Sequence, residues 1–186
     1  MTAASPHWEF HQVPDAAMAL EAGYQGRYFE LLGLNNPRLN TELAVRAEAA
    51  GQADGWYRVH LLTPWMALEA FLPEDPAQPR GLPPAETLEV DSAGRVVVGE
   101  EIGLAWEGGE RRLEVAYDPR VGHHLVAVLS HDMRDFADTE QALAWLRGAD
   151  AAPAAASASR PAADEPRQVS RRDLFRGLLG RSGKGR

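Results

Sequence analysis

The sequence predicts an α+β fold, a mainly antiparallel sheet flanked by an N-terminal and a C-terminal helix, with a disordered C-terminal tail. Three observations predict it. Apolar residues recur at helical spacing near the start and again near residue 140. Between these stretches the period falls to two, with frequent turn signals, and from residue 149 onward periodicity gives way to Ala, Pro and Ser.

The first helix is expected over residues 15–32. Ala17, Leu20, Tyr24, Tyr28, Leu31 and Leu32 fall at three- and four-residue steps with Glu21, Gln25 and Glu30 between them. Asp15 suits the N-cap, and Gly33 with the Asn35-Asn36-Pro37 run ends the helix.

The strands follow. A short one is expected at 43–47, then a turn over 51–55, then a longer strand at 56–63 with Trp56, Arg58, His60 and Leu62 on one face. Alternation from Met66 to Leu72 marks another, stopped by Pro73. Residues 74–84 are Pro-rich and irregular. A hairpin is read at 88–90 and 96–98, a second at 102–106 and 113–117, and a buried strand in the wholly apolar run 125–129. The closing helix starts at Asp138, with Gln141 completing a capping-box pattern, and buries Ala142, Leu143, Trp145 and Leu146 before Gly148.

The chain of 186 residues suits one domain plus an appendage. The expected division is 1–14, a flexible N-terminus; 15–148, the folded domain; 149–169, an Ala/Pro-rich linker; and 170–186, a basic tail. At 45% hydrophobic and 25% charged residues, with no apolar run near the ~20 residues that span a bilayer, the composition is that of a soluble protein. The start lacks the basic flank and apolar segment of a secretory signal, so a cytoplasmic location is expected.

Charge is unevenly placed. Residues 160–186 carry a net +5 within a total of −8, which leaves −13 on residues 1–159. So acidic a body argues against nucleic acid as a partner and favours a basic peptide. The tail itself contains one: Ser170-Arg171-Arg172-Asp173-Leu174-Phe175 has the look of a twin-arginine export signal, but at the wrong end and without the long apolar run that export needs.

Chemistry-bearing clusters are few. With no cysteine, disulfides, thiolate ligands and cysteine nucleophiles are excluded. His123, His124 and His131, near Asp118, Asp132 and Asp135, offer metal-ligand types but match no HExxH pattern. Ser130-His131 lacks the surrounding Gly-x-Ser-x-Gly of a nucleophile elbow. The glycines at 99, 103, 108 and 109 belong to hairpin turns by their spacing. The expectation is a non-enzyme without a cofactor or bound metal.

Thr63-Pro64-Trp65-Met66 admits two readings. A proline between two strand-like runs forces a bend or an edge, leaving Trp65 and Met66 beside unpaired backbone groups where an apolar peptide could dock. Alternatively, both side chains fill the core.

Taken together, Leu62-Thr63-Pro64-Trp65-Met66 with its strand to Pro73, Leu129-Ser130-His131-Asp132-Met133 leading into the last helix, and Arg171-Arg172 with Leu174 and Phe175 resemble the HybE/HupJ family of [NiFe]-hydrogenase assembly chaperones. The order and spacing match over most of residues 15–180. Three departures stand out: an acid at Asp173, Leu174-Phe175 in reverse of the usual order, and a longer linker.

The resemblance implies a cytoplasmic chaperone of hydrogenase maturation that binds the twin-arginine signal peptide of the small-subunit precursor and proofreads export. The large subunit and other maturation proteins are further candidate partners. Stable membrane insertion and catalysis are not implied. The expected peptide-binding residues are Thr63, Pro64, Trp65, Met66, Ser130, His131, Asp132, Met133 and Asp135, with Asp132 and Asp135 meeting the arginines. Ser170, Arg171, Arg172, Leu174 and Phe175 would form a signal-mimicking tail. The alternative reading is a metal- or cofactor-handling accessory protein that uses the three histidines.

Overall fold

The structure is a computed structural model that describes residues 4–34 and 36–149. The expected linker and tail lie outside these residues, except for Ala149.

Helix α1 spans Ala16–Gly33, with the Asp15 carboxylate accepting from Met18 N as its N-cap. Six strands follow: β1 Arg46–Ala53, β2 Trp56–Leu62, β3 Ala67–Pro73, β4 Glu101–Trp106, β5 Gly109–Asp118 and β6 Gly122–Ser130. Helix α2, Thr139–Ala149, closes the described chain; Asp138 Oδ1 accepts from Gln141 N and Gln141 Oε1 accepts from Ala137 N. The expected α+β class and both helices are present.

The sheet order is β1-β2-β3-β6-β5-β4, every pairing antiparallel. Two three-stranded meanders therefore meet along β3 and β6. Every residue of β3 is buried, as expected for a strand covered on both faces.

Two local readings shift. The first strand starts at Arg46 and runs through to Ala53, because Asp54 and Gly55, at φ 53° and 86°, form the two-residue turn that joins it to Trp56. A register shift between Ala49 and Gly51 interrupts the β1–β2 ladder in this Ala-rich segment. The hairpin read at 88–98 has its turn at the expected place, where Asp91 Oδ1 accepts from Ala93 N and Arg95 N, but its pairing reduces to one bridge, Val90 to Val96, between the 3-10 turn Ala85–Thr87 and the turn at 98–99.

The expected flexible N-terminus is a correction. Trp8 and Phe10 pack on the sheet face that carries Trp56, Phe71, Leu104, Trp106 and Leu125. His7 N donates to Gly94 O, and Glu9 N donates to His123 Nδ1 at 2.7 Å. Gly122, at φ 73°, permits this approach: a Cβ there would lie 2.3 Å from Glu9 O. Burial of two aromatic side chains outweighs the ordering entropy of the segment.

The other face of the sheet packs against α1 through Leu20, Tyr24, Val59, Leu61, Leu68 and Val126. At the far end of the first face, Leu62, Ala67 and Met133 meet Ala142, Leu143 and Leu146 of α2. Between these clusters sits Glu69, buried and held by Arg58 Nη1 at 3.3 Å and Arg111 Nη1 at 2.6 Å. Two guanidiniums on one carboxylate satisfy a charge that would otherwise be costly at the middle of a sheet.

Candidate functional site

The candidate site is the end of the sheet where the β2–β3 turn meets the segment after β6. Residues 63–66 form that turn. Thr63 N donates to Met66 O at 2.9 Å, the Thr63 hydroxyl donates to the same carbonyl at 2.8 Å, and its oxygen accepts from Met66 N at 3.0 Å. Pro64 occupies the first central position of the turn, where its fixed φ is favourable.

The reading of Thr63-Pro64-Trp65-Met66 as a sheet edge with unpaired backbone is therefore corrected. The turn joins β2 to β3, one of the two middle strands, and its backbone is hydrogen-bonded. Trp65 is 7% exposed and Met66 4%, both in the α1-side core, and Thr63 and Pro64 are buried too. The core-filling reading holds for these side chains.

Residues 130–136 lie alongside. Ala67 pairs with Ser130, and Met133, fully buried, packs with Leu62 and Ala67. The link between the two segments is Asn40. Its N donates to Pro64 O at 2.8 Å, and its Nδ2 donates to Met133 O at 2.9 Å and Phe136 O at 2.7 Å. The structure thus brings together the two motif segments that lie far apart in sequence, through a loop residue that sequence reasoning missed. The only available signal was an Asn a few residues after a helix end, a residue type suited to bonding backbone groups in turns.

The surface members of the segment are already structured. The Ser130 hydroxyl donates to Asp132 O and accepts from Asp132 N. Asp132 grips Arg134 through both carboxylate oxygens, with Nε at 2.9 and 3.1 Å, and this contact holds its pKa down at about 2. His131 and Asp135 are exposed.

Apolar side chains surface on the two helices flanking this end. Phe29 is 64% exposed, Leu34 76%, Leu32 37% and Trp145 39%. Tyr28 stacks on Phe29 and on Trp65, with centroids 6.1 and 6.4 Å apart, and Phe136 lies 5.3 Å from Trp145. Leu32, expected on the buried stripe of α1, and Phe29, outside that stripe, are both exposed. A large aromatic off the buried stripe was the signal.

The three histidines do not converge. His123 Nδ1 accepts from Glu9 N and its Nε2–H donates to Val96 O at 3.0 Å; His124 Nδ1–H donates to Gly122 O, and its Nε2 accepts from the Tyr24 hydroxyl at 3.1 Å. Neighbouring strand residues face opposite ways, one ring toward Trp8 and the other toward α1. Among the described residues no group of three or more His, Asp or Glu is placed to hold a metal ion. Burial lowers the pKa of both imidazoles, that of His124 to about 4, and raises that of Tyr24. No helix among the described residues is long and apolar enough to cross a membrane.

The fold is a sheet domain with two motif segments joined at one end and apolar side chains exposed beside them. The sequence pattern described as "[NiFe]-hydrogenase assembly, chaperone, HybE" matches residues 18–177. The chain belongs to this HybE family of [NiFe]-hydrogenase assembly chaperones. The chain is also similar to the solution structure of HybE from Escherichia coli, at 18% identity and a TM-score of 0.49, covering 89% of this chain and 97% of that one. No curated protein sequence matches it.

Two predictions follow from the geometry. Folding depresses the His124 pKa from its ordinary 6.5 to about 4, so the unfolded chain binds the extra proton and stability is lost as pH falls from about 6.5 toward 4. The contribution is about 3 kcal/mol. Urea unfolding at stepped pH should show this slope reduced in His124→Asn; an unchanged slope would contradict a buried neutral imidazole. Asn40→Ala strands two carbonyls and should cost about 2–4 kcal/mol in the same assay, whereas a loss below about 0.5 kcal/mol would mean that Asn40 does not hold residues 130–136 in place.

Proposed function

We propose that this hydrogenase assembly chaperone acts in the cytoplasm, binding the twin-arginine signal peptide of the small-subunit precursor and delaying its export until assembly is complete. The observation that carries the proposal is the meeting of residues 63–66 and 130–136 at one end of the sheet, beside exposed Phe29, Leu32, Leu34 and Trp145.

The proposed division of labour follows from burial. Thr63, Pro64, Trp65, Met66 and Met133 are the floor of the site and fix its shape, while Ser130, His131, Asp132 and Asp135 are its surface. The apolar segment of the peptide covers the exposed aromatic and leucine side chains, each worth about 1.5–3 kcal/mol when fully buried. The arginines meet Asp135, and also Asp132 where they displace Arg134. Exposed pairs of this kind contribute only about 0–1 kcal/mol each, so they select the peptide more than they hold it. The acidic body, −13 over residues 1–159, steers a basic peptide toward it.

Calorimetric titration of the full chain with a hydrogenase small-subunit signal peptide and its twin-lysine variant tests the proposal. The native peptide should bind, and the lysine variant should bind about five- to tenfold more weakly, because a point-like ammonium cannot make the bidentate contact. Binding of neither peptide would remove the proposal.

A further inference from the structure

We infer that the apolar patch at the C-terminal end of α1 is the seat of this chain's own residues 171–179. The patch consists of Phe29, Leu32 and Leu34, backed by Tyr28 stacked on the buried Trp65. Three large apolar side chains grouped at one helix end call for a cover.

Three observations identify the tail as that cover. First, its sequence fits. Leu174, Phe175, Leu178 and Leu179 come as two apolar pairs at four-residue spacing, beside Arg171, Arg172 and Arg176. The patch asks for a short apolar segment of this kind.

Second, charge fits. The last turn of α1 contains no basic residue, so the helix supplies no cation of its own to the negative end of its dipole. Glu30 adds a carboxylate whose side chain is 67% exposed; its contact with Arg27 through Oε2 leaves further acceptor positions. An arginine pair N-terminal to Leu174 would place its cations at this helix end while Leu174 and Phe175 lie against Phe29 and Leu32.

Third, reach fits. About 20 residues separate Ala149 from Ser170, and a chain of that length spans about 20–30 Å on average and far more when extended. A domain of this size measures about 30–40 Å across. The family match also extends to residue 177 and so takes in Arg171, Arg172, Leu174 and Phe175.

The inference deepens the signal-peptide reading and rests on it for its purpose: a tethered mimic seated beside residues 63–66 covers the apolar surface until a genuine signal peptide arrives. Its local concentration, on the order of millimolar, means that even weak docking keeps the patch covered.

The absence of cysteine allows a direct test. In the full chain, Gly33→Cys with Gly177→Cys creates the only thiol pair, and a Cβ at residue 33 meets no atom within 4 Å. The control pair is Ala105→Cys with Gly177→Cys, placed on the far-edge strand β4 at an exposed position. With docking, the intramolecular disulfide at residue 33 should form at least about tenfold faster than the control, and Leu174→Ser with Phe175→Ser should abolish the difference. Equal rates for the two pairs overturn the inference, as does a rate advantage that survives the serine substitutions. Disulfide-linked dimers that rise with protein concentration overturn it in favour of a second copy. No signal peptide enters this assay, so its failure is distinguishable from failure of the titration.

Discussion

The hydrogen bonds of Asn40 tie together three stretches of chain that lie far apart in sequence. Its backbone N–H meets Pro64 O in the β2–β3 turn, and its carboxamide meets the carbonyls of Met133 and Phe136. Backbone carbonyls in such loops cost stability when buried and unpaired, so one donor serving two of them fixes where the segment after β6 can lie. The path of residues 130–136 then sets the start of α2, where Asp138 caps the helix and Thr139 Oγ1 accepts from Ala44 N. The end of the sheet is thus one connected unit.

That unit rests on a rigid platform. β3 and β6 are each paired on both sides, and their faces are covered by different partners: α1 on one, and on the other α2 together with residues 8–10. Glu69 could have been a weak point at the centre. Arg58 and Arg111 approach it from β2 and β5, and each guanidinium also lies over an aromatic ring, Trp106 at 5.8 Å and Phe71 at 5.6 Å. The carboxylate is thereby enclosed by two guanidiniums that are themselves held against aromatic rings. A platform of this kind presents its exposed side chains from ordered helix and strand ends, so less ordering entropy remains to be lost when a partner docks.

Much of the architecture was legible in local pattern, because helix caps and alternation are written into neighbouring residues. Asp15 and Asp138 cap the two helices as read, and the change of period from helical to alternating located the strands. What escaped depends on distant partners. Trp8 and Phe10 gave no periodic signal, and their order comes from His123 and Gly122 more than a hundred residues away. Pro64 suggested an edge, since proline is excluded from paired strands, but two residues of turn suffice to place it between central strands. At the site, both motif segments were singled out from the sequence and they do meet at one end of the sheet, whereas the burial of Trp65 and Met66 and the exposure of Phe29 depend on how α1 is rotated on the sheet. Single-sequence periodicity fixes that rotation only coarsely.

Amide hydrogen exchange of the full chain, with and without a small-subunit signal peptide, tests most directly whether the Asn40-linked end of the sheet is where the chaperone meets its client. The account predicts slowed exchange concentrated in residues 130–136 and in the neighbouring turn at 63–66. Slowing confined to the outer strand Glu101–Trp106, or to residues 5–13, would contradict it.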